Sequence, residues 1–230
     1  MVYAYAIGSA GLSPPARRGL GGVALDVVAR QELAAVYSRH RTLRPAPTRA
    51  NVLTHERVVE AVLEQGPALP FRFATRMESA ERLAAVLEER HDELRDALER
   101  VRGRVELGVR VLPRARAEDP DLSERSSAEP APDRGRRYLL ARAALRRAAD
   151  RAARELHGPL SQAAVASVLS ERPPAPAILV AAYLVDRERV EPFRERFAEL
   201  AASLTHCDAF LTGPLPPYNF VDSPADADRR

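Results

Sequence analysis

From Val105 onward the apolar residues fall into a pattern that leaves few architectures open. Val105, Leu107, Val109 and Val111 alternate through Leu112, the period of a strand. Tyr138 to His157 reads as a helix on an alanine-rich face, broken by Gly158-Pro159, and Leu160 to Leu169 reads as a further helix. Ala177 to Val185 is an apolar run of the length of a central strand. Arg189 to Leu204 is a helix that turns Phe193, Phe197 and Leu200 inward, and a last strand begins at Cys207. Strand, helix, strand, helix, strand implies crossover connections, so this part is expected to be an α/β sandwich of ferredoxin-like arrangement.

The last strand alternates Cys207, Ala209 and Leu211 against Asp208, Phe210 and Thr212. Gly213-Pro214 is expected to end its ladder, since proline has no N–H to donate. Pro216-Pro217 then predicts a polyproline II backbone from which Leu215, Tyr218 and Phe220 splay. A terminal tail is ordinarily polar and frayed. Three large apolar side chains here need a cover, from this chain's own core or from a partner.

The first hundred residues predict a separate α+β layer. Val2 to Ile7 reads as a strand buried on both faces, Ser9 to Gly22 as loop, and Val23 to Ala29 as a second strand. Glu32 to Arg39 fits either a strand or a short helix. Thr54 is the expected N-cap of a helix carrying Val58, Val59, Val62 and Leu63, stopped by Gly66-Pro67. Ala68 to Thr75 reads as a short strand whose alternation puts Phe71 and Phe73 on one face and Arg72 on the other. Pro70 at its start marks it as an edge, where another chain can add. Ser79 to Val101 reads as one long helix ended by Gly103. The boundary is placed at Arg102-Gly103, giving an N-terminal α+β domain of residues 1–102 and a C-terminal domain of residues 103–230. Residues 113–137, rich in Pro, Ser, acids and Arg, read as a flexible insertion, and residues 213–230 as a Pro-rich tail.

Composition narrows the chemistry. All 35 basic residues are arginine, and the formal net charge is only +3. Without lysine a Walker A site is excluded, and Gly19, Gly21 and Gly22 read as loop. One cysteine rules out an internal disulfide and suits a reducing, cytoplasmic setting. His206-Cys207 cannot form a dyad by itself, because strand neighbours point to opposite faces. His55-Glu56 opens like a zinc-protease helix, but Val59 stands where the second histidine belongs. Neither a metal site nor a cofactor site nor a catalytic constellation is expected. Arg134 to Arg154 carries eight arginines against Asp150, which reads as a solvated face or as a phosphate-gripping one.

Val2 to Gly8, His55 with Val58-Val59-Glu60, Leu69 to Thr75 followed by Leu83 and Leu87, Gly103 to Val109, Gly135 to Leu139, and Leu211 to Phe220 follow one another along the chain. In that order they resemble the gas vesicle protein GvpF/GvpL family. The last is the most specific, although Leu215 stands where family members commonly have tryptophan. The resemblance implies two domains, α+β then modified ferredoxin-like, and a non-enzymatic role as an assembly factor or minor component of gas vesicles. It further implies contact with the hydrophobic shell protein GvpA, and with other accessory Gvp proteins, in the cytoplasm at the vesicle. The alternatives are a scaffold that contacts other accessory Gvp proteins without binding GvpA, and a basic nucleic-acid-binding module; no membrane span is expected. Partner contact is assigned here to Phe71, Arg72 and Phe73 at the edge, and to Leu215, Pro216, Pro217, Tyr218 and Phe220 in the tail.

Overall fold

The computed structural model describes residues 1–42, 44–114, 134–205 and 207–221. His206 and most of the expected insertion lie outside these residues. The chain divides into two units: residues 1–106 together with 214–230, and residues 107–213. This differs from the expected division at residue 102 in one consequential way: the tail belongs with the N-terminal unit.

The first unit is built on β1 (Val2–Ser9), whose residues 2–8 are all buried, as a strand apolar on both faces must be. β2 (Asp26–Arg30) and β3 (Leu33–Arg39) form a hairpin, and β3 pairs antiparallel with β1, matching Tyr3 with Ser38 and Ser9 with Leu33. Glu32 to Arg39 is thereby resolved as strand. α1 (Arg49–Leu63) follows, then β4 (Leu69–Pro70) and β5 (Arg76–Met77), which both pair antiparallel with β1. The sheet order is β2-β3-β1-β4, which leaves β4 at an end of the sheet.

Helices cover both faces of this sheet. Val58, Val59 and Val62 of α1 pack with Tyr3, Tyr5 and Val36 on one face. On the other, Leu83 and Leu87 of α2 (Ala80–Glu89) and Leu94, Leu98 and Val101 of α3 (His91–Val101) pack with Val2, Ala4, Ile7 and Leu33. The single helix expected from 79 to 101 is two, because Arg90 leaves helical geometry at φ −114°, ψ 22°. Ser79 caps α2 by accepting from the Arg82 N–H at 3.2 Å.

α1 starts earlier than expected. Thr48 is its N-cap, with Oγ1 accepting from the Asn51 N–H at 3.3 Å, whereas Thr54 lies inside the helix and donates to the Ala50 carbonyl. Thr48→Ala is expected to lower stability by about 1 kcal/mol in chemical denaturation, and Thr54→Ala by less than half of that.

The second unit carries β6 (Arg104–Pro113), α4 (Arg134–Ala152), α5 (Gly158–Ala163), β7 (Ala166–Leu169), β8 (Leu179–Asp186), α6 (Val190–Ala202) and β9 (Cys207–Leu215). The division between units falls within β6 and within β9. The sheet order β7-β8-β6-β9 and the succession β-α-β-β-α-β are ferredoxin-like. One strand of this set, β7, lies in the stretch expected to be helix. Leu107, Val109, Val111, Leu179, Ala181, Tyr183 and Val185 form the core with Ala152, Leu156, Leu160 and Phe193 of the helical layer.

Gly158-Pro159 does not break the helical run. Residues Ala153–His157 form a π-turn in which the Gly158 N–H bonds the Ala153 carbonyl, and α5 continues with Pro159 in its first turn. β9 also outruns its expectation: it continues through Gly213-Pro214 to Leu215, with Gly213 at φ 114°, a conformation that favours glycine.

Candidate protein-docking site

The two segments assigned to partner contact both belong to the first unit, and both fasten to consecutive residues of α1. His55 is fully buried. Its Nε2 lies 3.0 Å from the Phe71 carbonyl, which can only accept, so Nε2 carries the proton. Nδ1 is then the acceptor for the Tyr3 hydroxyl at 3.0 Å, and the same Tyr3 oxygen accepts from the Ala74 N–H at 2.9 Å. Every polar atom of this chain of bonds is satisfied. The Tyr5 ring stacks on the imidazole at 5.6 Å, and the Phe73 ring meets it edge-on at 5.9 Å. Burial in this aromatic box pushes the imidazole down to about 4, so His55 is neutral at physiological pH.

These bonds hold residues 71–75 in a turn rather than in continuous strand. The Phe71 N–H still donates to the Tyr5 carbonyl at 2.8 Å, but Thr75 then bonds back to the Arg72 carbonyl through both its N–H and its hydroxyl. Ala74 takes φ +69° in the turn. The alternation is thereby broken. Phe71 enters the core on the α2–α3 side, whereas Phe73 packs, half-buried, on the α1 side, so the two rings do not share a face as expected. Phe71 is 0% exposed and presents no side chain to a partner. Arg72 is exposed.

Glu56, the next residue of α1, holds the tail. Its Oε1 accepts from the Tyr218 hydroxyl at 2.9 Å. Burial pushes the Tyr218 phenol upward and the adjacent Glu56 carboxyl pushes it further. The Glu56 carboxyl is itself raised, chiefly by burial, with the Tyr218 bond opposing. Asn219 grips a second carboxylate, that of Glu106: its backbone N–H donates to Oε2 at 2.8 Å and its side-chain amide to Oε1 at 2.6 Å. Glu106 is only 4% exposed, and burial raises its carboxyl while the Asn219 bonds pull it back. Val221 then enters the core beside Val2 and Leu83.

The tail is therefore a folded strap and not a splayed polyproline segment. The Tyr218 N–H bonds the Pro216 carbonyl at 2.8 Å and the Phe220 N–H the Pro217 carbonyl at 3.2 Å. Pro216 and Pro217 are buried, Tyr218 and Phe220 half-buried, and Leu215 is 37% exposed. Sequence reasoning selected the right segments but missed His55, Glu56, Glu106 and Asn219, which hold them. The available signals were a lone acid inside the apolar run Val105-Glu106-Leu107 and an asparagine among the tail's apolar residues.

Other candidate groups are occupied locally. Cys207 is buried in the second unit's core, and burial raises its thiol. His40 bonds Ser38, His91 bonds Glu32 and Asp92, and His157 bonds Tyr183. Among the described residues no group of three or more His, Cys, Asp or Glu side chains is placed to hold a metal ion. No helix among them is long and apolar enough to cross a membrane.

Comparison with known proteins agrees with this architecture. Two crystal structures share the fold: gas vesicle protein GvpF from Anabaena sp. PCC7120, with TM-score 0.79, 18% identity and coverage of 96% of this chain and 95% of that one, and GvpF from Microcystis aeruginosa, with TM-score 0.68, 17% identity and coverage of 95% and 98%. Among characterised sequences the chain is 32% identical to gas vesicle protein L of a Streptomyces species, across 96% of this chain and 91% of that protein. It is 30% identical to gas vesicle protein F2 of Halobacterium salinarum, across 88% and 82%. The model of the family described as gas vesicle synthesis protein GvpL/GvpF matches residues 1–222. The chain belongs to the GvpL/GvpF family of gas vesicle synthesis proteins.

Proposed function

We propose that this protein is a non-catalytic accessory factor of gas vesicle assembly that binds the hydrophobic shell protein GvpA and keeps it from aggregating before it enters the vesicle. The observation that carries this reading is the attachment of two apolar, partly exposed segments to adjacent residues of one helix. His55 fixes the turn that bears Arg72 and Phe73, and Glu56 fixes the strap that bears Leu215, Tyr218 and Phe220. A water-excluding shell subunit presents a large apolar patch and strand edges before assembly, and both promote aggregation. A rigid apolar surface on the helper covers such a patch at little ordering cost. Arg72 supplies a polar rim, and β4 at the end of the sheet offers an edge for strand addition. Pro216 and Pro217 stiffen the strap from beneath, and Phe71 serves the surface only by anchoring the turn.

Co-expression with GvpA tests this. The wild-type chain is expected to keep GvpA soluble and to co-purify with it. Combined Phe73→Ser, Leu215→Ser and Phe220→Ser should lower recovery of GvpA by roughly tenfold or more while unfolding stays cooperative. Tyr218→Phe, which removes one hydroxyl, should retain most binding. Aggregation of GvpA beside the wild-type chain would refute the function; undiminished recovery with the triple variant would refute only the surface.

A further inference from the structure

The second unit carries a surface that this reading leaves unused. Between Arg134 and His157 stand eight arginines against Asp150 and Glu155, a surplus of six positive charges in a chain whose whole net charge is +3. The rest of the chain is therefore net acidic, and positive charge is concentrated on one helical segment. Five of these arginines carry charge that the described carboxylates do not meet. Among the described residues no carboxylate pairs with Arg136, Arg146, Arg147, Arg151 or Arg154, all of which are exposed. The acids of α2 and α3 behave differently: Glu89 pairs with Arg82, Glu93 with Arg90, Asp96 with Arg95 and Glu99 with Arg102.

α4 also carries its charge against its own electrostatics. Its first turn holds arginines and no acid, where the helix dipole favours negative charge. Arg142 and Arg146, and again Arg147 and Arg151, stand four residues apart, a repulsive spacing. An acidic partner relieves both strains. Leu139 and Leu140 are 66% and 56% exposed among these arginines. Arg136, Leu140, Ala143, Arg147 and Arg151 follow one another at helical spacings of three and four, so a single outward stripe mixes cations with an apolar anchor.

We propose that this stripe of α4 docks an acidic amphipathic helix of a partner protein, with carboxylates set against Arg136, Arg147 and Arg151 and apolar side chains covering Leu139 and Leu140. Two other polyanions fit less well. An interfacial membrane helix needs a long apolar face, and the apolar face of α4 and its π-turn, at Ala148, Ala152 and Leu156, is spent on the unit's own core. A ferredoxin-like nucleic-acid binder stacks bases on aromatics of its central strands. The positions of β6 and β8 that alternate with the core-facing residues are Gly108, Arg110, Ala182 and Leu184.

The probe is a synthetic helical peptide repeating Glu with Leu and Ala at heptad spacing, titrated beside single-stranded DNA and vesicles of anionic phospholipid. The peptide should bind the wild-type chain more tightly than either, and weaken as salt rises. Arg147→Glu with Arg151→Glu should reduce peptide affinity by roughly tenfold or more, and a peptide with Lys in place of Glu should bind that variant better than the wild type. Leu139→Ser with Leu140→Ser should weaken the peptide several-fold without weakening DNA binding. Tighter binding of DNA or vesicles, indifference to the leucine pair, or no peptide binding at low salt would each overturn the proposal.

Discussion

Replacing His55 with phenylalanine is expected to cost about 3 kcal/mol at pH 7.5, read as a shift in the denaturation midpoint, although the aromatic box accepts the ring by size. The loss comes from atoms left behind. The Phe71 carbonyl loses its donor and the Tyr3 hydroxyl loses its acceptor, both in a site from which water is excluded. A buried group stripped of its partner carries the full desolvation cost, whereas the intact pair contributes only a modest net amount.

The same substitution makes a prediction about pH. His55 is held down to about 4 in the folded chain against an ordinary 6.5 in the unfolded one. Between these values the unfolded chain binds a proton that the folded chain refuses, so the His55 contribution is complete above pH 6.5 and is lost as pH falls toward 4. The total lost is about 3 kcal/mol at 1.36 kcal/mol per pH unit. The gap between wild type and His55→Phe should therefore close across that interval. A gap that stays constant would show that His55 titrates as an exposed imidazole, and the assigned tautomer would fall with it.

The strand-helix alternation after Val105 was legible because each core element has its own period, and it led to the ferredoxin-like arrangement despite one wrong element. β7 was missed because Ala163 to Leu169 is a short, alanine-rich apolar run whose periodicity suits helix and strand equally. It is settled by pairing with β8, matching Ala166 with Leu184 and Leu169 with Ala181, a long-range fact. The break at Arg90 had no glycine or proline to announce it. Thr48 and Thr54 were equally good caps by residue type, and only the helix register chooses between them. The site was legible as segments and not as bonds. His55-Glu56 suggested a metal motif and failed as one; its use is to bond Phe71 and Tyr218, one nearby and one at the far end of the chain. No local pattern encodes such a match.

The tail offers the largest effect of all. A chain ending at Pro217 is expected to lose about 4 kcal/mol or more of stability, far beyond the cost of removing an ordinary frayed terminus. Two terms add. Val221 leaves a site in the apolar core, worth about 1–2 kcal/mol as transfer and cavity together. Glu106, 4% exposed in the intact chain, loses both donors from Asn219. Hydrogen bonds to a charged group are worth about 1.5–3 kcal/mol, and an orphaned buried charge costs more. Asn219→Ala isolates the second term. It keeps the backbone N–H and removes only the amide, so it should cost about 2 kcal/mol in chemical denaturation. The carboxyl of Glu106, already raised by burial, then rises further because fewer bonds favour its charged form. A carboxyl raised in the folded state destabilises the fold once ionised, so the penalty of Asn219→Ala should shrink as pH falls through the folded value and Glu106 takes up a proton. Glu106→Gln removes the charge at constant shape. In that background Asn219→Ala should cost clearly less than it does beside the native carboxylate, and the double-mutant cycle reads the coupling directly. Equal costs in the two backgrounds would mean that the strap is held by Val221, its prolines and the Tyr218–Glu56 bond, and that the Asn219 clamp contributes nothing.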